Sequence, residues 1–214
     1  MSAPRAHRDS YRLAARLYDL LEPINRGLRL AGMRMFRPDG GMRILDAGCG
    51  TGTHLDLYRR YTCTLHGLDL SPAMLAAARR RAGGRVQLTC ARANGMPFPS
   101  GAFDLVLSML MLHEMEPTDR EATLGEIRRV LKADGRVLLI DFAPGRYEVP
   151  RGWFARILIV ALELAAGGRH FANHRRFLAA GGLPALLERH RFDIQKTKLL
   201  AGGTLGLYLA SPGP

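Results

Sequence analysis

Apolar and polar positions alternate at two spacings along this chain, and the order of those spacings predicts an architecture. Short apolar runs bounded by turn residues, at 43–46, 64–69, 86–90, 103–108, 135–141, 192–199 and 204–210, read as strands. Segments with helical spacing occupy 51–60, 72–82, 119–132, 153–166 and 184–189. A further helix is predicted over 10–30, with Leu13, Leu17, Leu20, Leu21, Ile24 and Leu28 set among Arg12, Arg16, Arg26 and Arg29. Residues 167–176 read as a polar break between two apolar segments. Strands alternating with helices predict a mostly parallel sheet with helices on both faces. The last two strands are joined by Ala201, Gly202 and Gly203, a hairpin-length link, so the final strand is expected to run antiparallel to its neighbours.

Two strand ends carry chemistry. The first strand runs into Asp46, Ala47, Gly48, Cys49, Gly50, Thr51 and Gly52, a glycine-rich turn that opens a helix. Glycine there lets a ligand pack against main chain at the carboxyl end of a strand. The second strand ends in Asp69, 23 positions after Asp46, followed by Ser71 and Pro72 as N-cap and first helical turn. An acidic side chain about 20 residues beyond a glycine turn suits the two ribose hydroxyls of an adenosine. The glycines follow G-x-G-x-G rather than G-x-G-x-x-G, and Asp46 stands two residues before the first of them. A carboxylate aimed into that turn repels a pyrophosphate but suits the ammonium and sulfonium of S-adenosylmethionine, so charge favours a methyl donor over a dinucleotide.

Residues 44–54, 66–75 and 96–113 together resemble class I S-adenosylmethionine-dependent methyltransferases, most closely the ubiquinone/menaquinone-biosynthesis type and its bacterial phospholipid N-methyltransferase relatives. The resemblance implies a Rossmann-like α/β fold with a seven-stranded, mostly parallel sheet and an antiparallel last strand. It implies S-adenosylmethionine as cofactor, with S-adenosylhomocysteine as product. Carried over by position, it assigns Asp46, Gly48, Cys49 and Gly50 to the methionine end, Asp69 and Leu70 to ribose and adenine, and Met74 to the adenine wall. Ala93, Asn94 and Gly95 border the adenine, Ser108 and Met109 lie beneath the sulfonium, and Tyr18, with Tyr11, resembles aromatics that close over the donor. The family often has an acidic residue where this chain has Arg92, which leaves the adenine amino group to Asn94 or to backbone.

Methyl transfer from an activated sulfonium asks the protein mainly for alignment and exclusion of water. His113, a few residues past the fourth strand, is the candidate catalytic residue, as base or as substrate contact, with a structural role in the link as the alternative. His170 and His174 could read the acceptor. Their spacing also suits a metal pair, but no third ligand is evident and the glutamate of H-E-x-x-H is absent, so no metal is expected.

The chain of 214 residues carries a formal net charge of +12, distributed as +5 over residues 1–43, +1 over 44–144 and +6 over 145–214. Residues 1–42 are read as an N-terminal helical cap on a methyltransferase domain spanning 43–214, with 145–190 a helical substrate-side insertion. The basic flanks suit an anionic acceptor or peripheral contact with an anionic membrane, although all but three basic residues are arginine and codon bias accounts for the excess equally well. Segment 153–166 is too short to span a bilayer; an ordinary buried helix is the expectation, a cover for a lipophilic substrate the alternative. Cys49, Cys63 and Cys90 have no C-x-x-C spacing and read as buried, reduced thiols of a cytoplasmic protein. The first eight residues and the last four read as loose termini. Nucleic acid is disfavoured as acceptor, because Ser108 to Met111 lack the Asp/Asn-Pro-Pro-aromatic motif and no basic tail is present. The expected activity is methylation of a small or lipophilic acceptor, a quinone precursor or phospholipid head group first. RNA or another macromolecule as acceptor, and a non-catalytic donor-binding protein, are the alternatives.

Overall fold

The computed structural model of the chain describes residues 22–145 and 147–214. Its elements, in order, are helix α1 (Glu22–Met35), strand β1 (Arg43–Ala47), α2 (Thr53–Tyr58), β2 (Thr64–Asp69), α3 (Pro72–Ala82), β3 (Val86–Cys90) and β4 (Phe103–Met109). A short 3-10 turn (Leu112–Glu114) follows, then α4 (Pro117–Val130), β5 (Leu131–Phe142), α5 (Arg151–Ala166), α6 (Gly168–Ala179), α7 (Gly182–Arg189), β6 (Phe192–Leu200) and β7 (Leu205–Pro212). Tyr18, Tyr11 and most of the helix expected over 10–30 lie outside the described residues. The part that is described continues to Met35 rather than ending at residue 30.

The strands form a seven-stranded sheet in the order β3-β2-β1-β4-β5-β7-β6. β7 pairs antiparallel with both β5 and β6, and the pairs among the other five strands are parallel. Period-2 alternation divides the central strands between two cores. Leu45, Val106, Val137, Leu139 and Ala210 face α4 and α7, which contribute Leu124, Ile127, Leu183 and Leu187. Ile44, Leu105, Leu107, Leu138, Ile140 and Leu209 face the other layer, with Met33 of α1, Leu55 and Tyr58 of α2, and Leu75 of α3. Gly32 permits the close approach of α1: a Cβ there would stand 3.1 Å from both Ile140 and Leu138. The chain reverses its progression across the sheet between β1 and β4, and the carboxyl ends at such a switch point open onto a crevice.

Local signals place these elements. Ser71 Oγ accepts the Met74 N–H at 3.3 Å, Pro72 opens α3, and Gly83 closes it at φ 57°. Four expectations are corrected. Residues 167–176 are not a break, for they supply most of α6, whose Phe177, Asn173 and His174 pack inward. The last residues are not loose: Ser211 and Pro212 pair with Asp193 and Phe192, and Arg128 donates to the Gly213 carbonyl at 2.6 Å. Cys90 is exposed and Cys63 half-buried, so only Cys49 is the buried thiol foreseen. The outer face of α5 is not buried, with Trp153, Phe154, Ile157, Leu158, Leu162 and Leu164 all exposed. Among the described residues, no helix is long and apolar enough to cross a membrane.

Candidate active site

The turn after β1 is built from hydrogen bonds that hold its glycines open. Gly48 and Cys49 both donate to the Leu68 carbonyl, at 2.8 and 3.0 Å, which ties the turn to the end of β2. Gly48, Gly50 and Gly52 all have positive φ, and a Cβ on Gly48 would stand 2.4 Å from Met111 Sδ. Asp69 closes the second strand with one carboxylate oxygen accepting the Gly50 N–H and the other the Ser71 N–H, each at 2.8 Å. Burial raises the Asp69 pKa, and the backbone donors of Ser71, Gly50 and Leu70 oppose the rise.

Asp46 is buried beneath this turn, and burial pushes its carboxyl up to about 7 while Arg29 pulls it down and Asp69 adds to the rise. Burial, with Arg29 acting in the same sense, pushes His54 down to about 3, so its ring is neutral. Neither His54 ring nitrogen, nor Ser108 Oγ, has a hydrogen-bond partner among the described residues. Buried polar atoms left this way fit a polar ligand in the crevice between β1 and β4. Met74 and Ala93 are buried, Leu70 is exposed, and Asn94 uses its amide to donate to Asp119 at 2.7 Å. Arg29, buried on α1, completes the set through its charge beside Asp46. Sequence periodicity gives it no distinction from the other polar residues of that helix.

A second polar group lies past the end of β4. Leu110 takes φ 52°, its N–H donates to the Ile140 carbonyl at 2.7 Å, and the chain turns sharply into the 3-10 segment carrying His113. Asp141, at the end of β5, anchors that segment by accepting the N–H groups of Leu112 and His113 at 3.0 and 3.3 Å. Its other oxygen lies 2.7 Å from His113 Nδ1. His113 Nε2 is therefore free to face Glu163 Oε1 at 3.6 Å and Glu114 Oε1 at 3.9 Å. Burial lowers the His113 pKa, but Asp141, Glu114 and Glu163 outweigh it and raise it to about 9. The ring thus holds its proton at neutral pH and could act as a base only above that value.

Helix α6 brings His170 and His174 to the same place, although neither is near His113 in sequence. Arg120, stacked 4.9 Å over Phe177, donates to the carbonyls of Leu112 and Met115, and Asn173 donates to the Glu114 carbonyl at 2.9 Å. So fixed, His170 Nε2 stands 3.0 Å from Glu163 Oε2, and His174 Nδ1 3.7 Å from it. The further donors come from two directions: the fold brings His113 and Glu114 to His170 from far along the chain, while Glu163 lies shortly before it on α5. Glu163 and Asp141 were missed: one is a lone acid in an apolar segment, the other ends a strand, and only the former is conspicuous. Beside this group a cavity of about 350 Å³ is lined by Phe142, Tyr147, Arg156, His174, Arg175 and Thr204, among others.

With this geometry the chain matches the model of a methyltransferase domain over residues 44–135. It is 33% identical over 186 residues to a malonyl-[acyl-carrier protein] O-methyltransferase of Halorhodospira halophila, covering 85% of this chain and 58% of that one. It is 32% identical over 183 residues to a demethylmenaquinone methyltransferase of Thermus thermophilus, covering 78% of this chain and 81% of that one. The structure of a SAM-dependent methyltransferase from Aquifex aeolicus superposes with a TM-score of 0.59 at 16% identity, over 85% of this chain and 88% of that one. A glycine turn over a buried acid, a second acid closing β2 and these relatives lead to one conclusion: the chain belongs to the class I S-adenosylmethionine-dependent methyltransferases, and S-adenosylmethionine is its methyl donor.

Proposed function

We propose that this enzyme methylates a small lipophilic acceptor, a hydroxylated quinone precursor before any other. The observation that carries the reading is the two-sidedness of α5. Its inner face directs Glu163 at His113 and His170, while its outer face exposes Trp153, Phe154, Ile157 and Leu158. A single helix thereby joins a surface suited to a hydrocarbon tail or lipid interface with a polar group suited to ring oxygens. The name of the Thermus relative supports the same acceptor class.

S-adenosylmethionine supplies a methyl group already activated on a sulfonium. Asp46, with Arg29 beside it, would hold the charged amino-acid end, together with the main chain of Gly48, Cys49 and Gly50. Asp69 and Leu70 would take the ribose and adenine, Met74, Ala93, Asn94 and Gly95 would border the adenine, and Ser108 and Met109 would lie at the sulfonium end. His113, oriented by Asp141, would contact the acceptor, and α5 would keep water out. Residues 1–42 would act as a cap and 145–190 as the substrate-side insertion.

A second reading has its own support. Arg156 and Arg175 line the cavity beside His174, and Arg176 lies close by in the adjoining recess. They suit the phosphate of an amino phospholipid. The test is transfer of labelled methyl into a cell extract, partitioned into organic, aqueous and acid-precipitable fractions. Label in the organic phase is expected, and chromatography then separates quinone from phospholipid. Label confined to the other fractions overturns the lipophilic acceptor.

A further inference from the structure

The donor atoms of His113, Glu114 and His170 lie within 4.8 Å of one another, drawn from the 3-10 segment and from α6. Glu163 reaches the same point from α5, 3.6 Å from His113 Nε2 and 3.0 Å from His170 Nε2. Glu114 Oε1 is 3.9 Å from both histidine nitrogens. Donors about 2.0–2.2 Å from a shared ion stand roughly 3.4 Å apart in a tetrahedron, so these separations need little adjustment to close around one.

Two further observations point to a ligand rather than to a self-sufficient ion-pair network. Glu163 Oε2 and His174 Nδ1 are buried and make no hydrogen bond among the described residues. The 3.0 Å approach of His170 to Glu163 is off the direction that a ring N–H requires. In addition, Asp141 grips His113 through Nδ1 at 2.7 Å and leaves Nε2 as the inward atom. That is the carboxylate–histidine arrangement which fixes a metal-ligating tautomer.

We infer that His113, Glu114, His170 and Glu163 form a site for a divalent first-row transition ion. Two imidazoles among the donors select zinc, cobalt, nickel or their neighbours over magnesium and calcium, which prefer all-oxygen sets. An ion on Nε2 leaves His113 no place for a proton there, so the loaded enzyme would meet an acceptor oxygen through the ion. The inference shares its location with the proposed acceptor site but does not depend on which acceptor is methylated, since ion binding needs none.

The experiment is a cobalt titration of the chelator-stripped full chain, followed by visible absorption. Zinc affinity is measured by competition with a chromophoric chelator, and magnesium serves as the counter-ion. Wild type should bind one ion per chain, displaceable by zinc and indifferent to magnesium. His170→Ala and Glu114→Gln should each weaken zinc binding at least about tenfold while S-adenosylmethionine binding is retained. Glu114 is partly exposed, so its variant keeps the test valid if His170→Ala fails to fold. No stoichiometric ion in wild type, or equal affinity in a folded variant, overturns the site, whereas the methyl-transfer assay alone judges the acceptor.

Discussion

Asp141 Oδ1 lies 2.7 Å from His113 Nδ1, and the same carboxylate caps the N–H groups of Leu112, His113 and Phe142. One residue at the end of β5 therefore sets both the backbone of the 3-10 segment and the direction of the ring it carries. Asp141→Ala strands three buried donors and should lower stability by about 3 kcal/mol or more in urea denaturation. Asp141→Asn keeps an acceptor but loses the charge opposite the ring. It should slow turnover on the order of 10- to 100-fold with donor affinity unchanged. Equal loss of both would assign the pair a purely structural role.

Asp46 links donor binding to pH. Its carboxyl titrates at about 7 in the free protein, under burial, Arg29 and Asp69. A cationic donor binds the ionised form, so below about pH 7 binding has to expel a proton. Affinity should fall about tenfold per pH unit below that point and level off above it. Calorimetry in buffers of different ionisation enthalpy would report the released proton, and Asp46→Asn should weaken binding and flatten the profile.

Asp69 already accepts hydrogen bonds from Gly50 and Ser71, so its removal acts on the turn as well as on a ribose. Asp69→Ala should weaken donor binding by more than about tenfold, roughly 1.4 kcal/mol or more. Unchanged affinity in a binding titration would remove the ribose assignment.

The outer face of α5 offers a separable test. Phe154 and Leu158 are 64% and 57% exposed, so Phe154→Glu and Leu158→Glu should leave stability within about 0.5 kcal/mol. Each should reduce sedimentation with anionic vesicles at low salt. Binding by wild type should weaken as salt shortens the Debye length. No sedimentation of wild type at low salt would leave the arginine excess without a membrane role.

Gly48 tests the cradle. Gly48→Ala places a Cβ at φ 77°, against Met111 Sδ. Donor affinity should drop more than thermal stability, because Met111 has a flexible side chain that can move into the crevice.

Much of the sheet was legible because strand and helix spacings are local. β2, α3 and β3 fall on the boundaries that their apolar runs and caps indicate, and the short link at Ala201 to Gly203 announced the reversal of β7. Residues 167–176 read as a break because His170, Asn173, His174 and Arg176 make them polar, yet from Gly168 onward they are helical, and Asn173 fastens the helix to the 3-10 segment by a hydrogen bond to the Glu114 carbonyl. Burial of a polar helix depends on partners that spacing does not display. The exposure of α5 was misjudged for the converse reason, since an apolar composition does not say whether a neighbour covers it.

The order of the elements, the glycine turn between Asp46 and Gly52, and the acid at 69 can be read along the chain, because these depend on residues a few positions apart or at a set interval. It takes the packed fold to gather Asp141, Glu163, His170 and Glu114 around His113, and to set Arg29 by Asp46. Apart from Glu114, which adjoins His113, those encounters join residues well separated along the chain through sheet order and helix packing, and side-chain chemistry at a given position carries no record of which distant strand end it will meet.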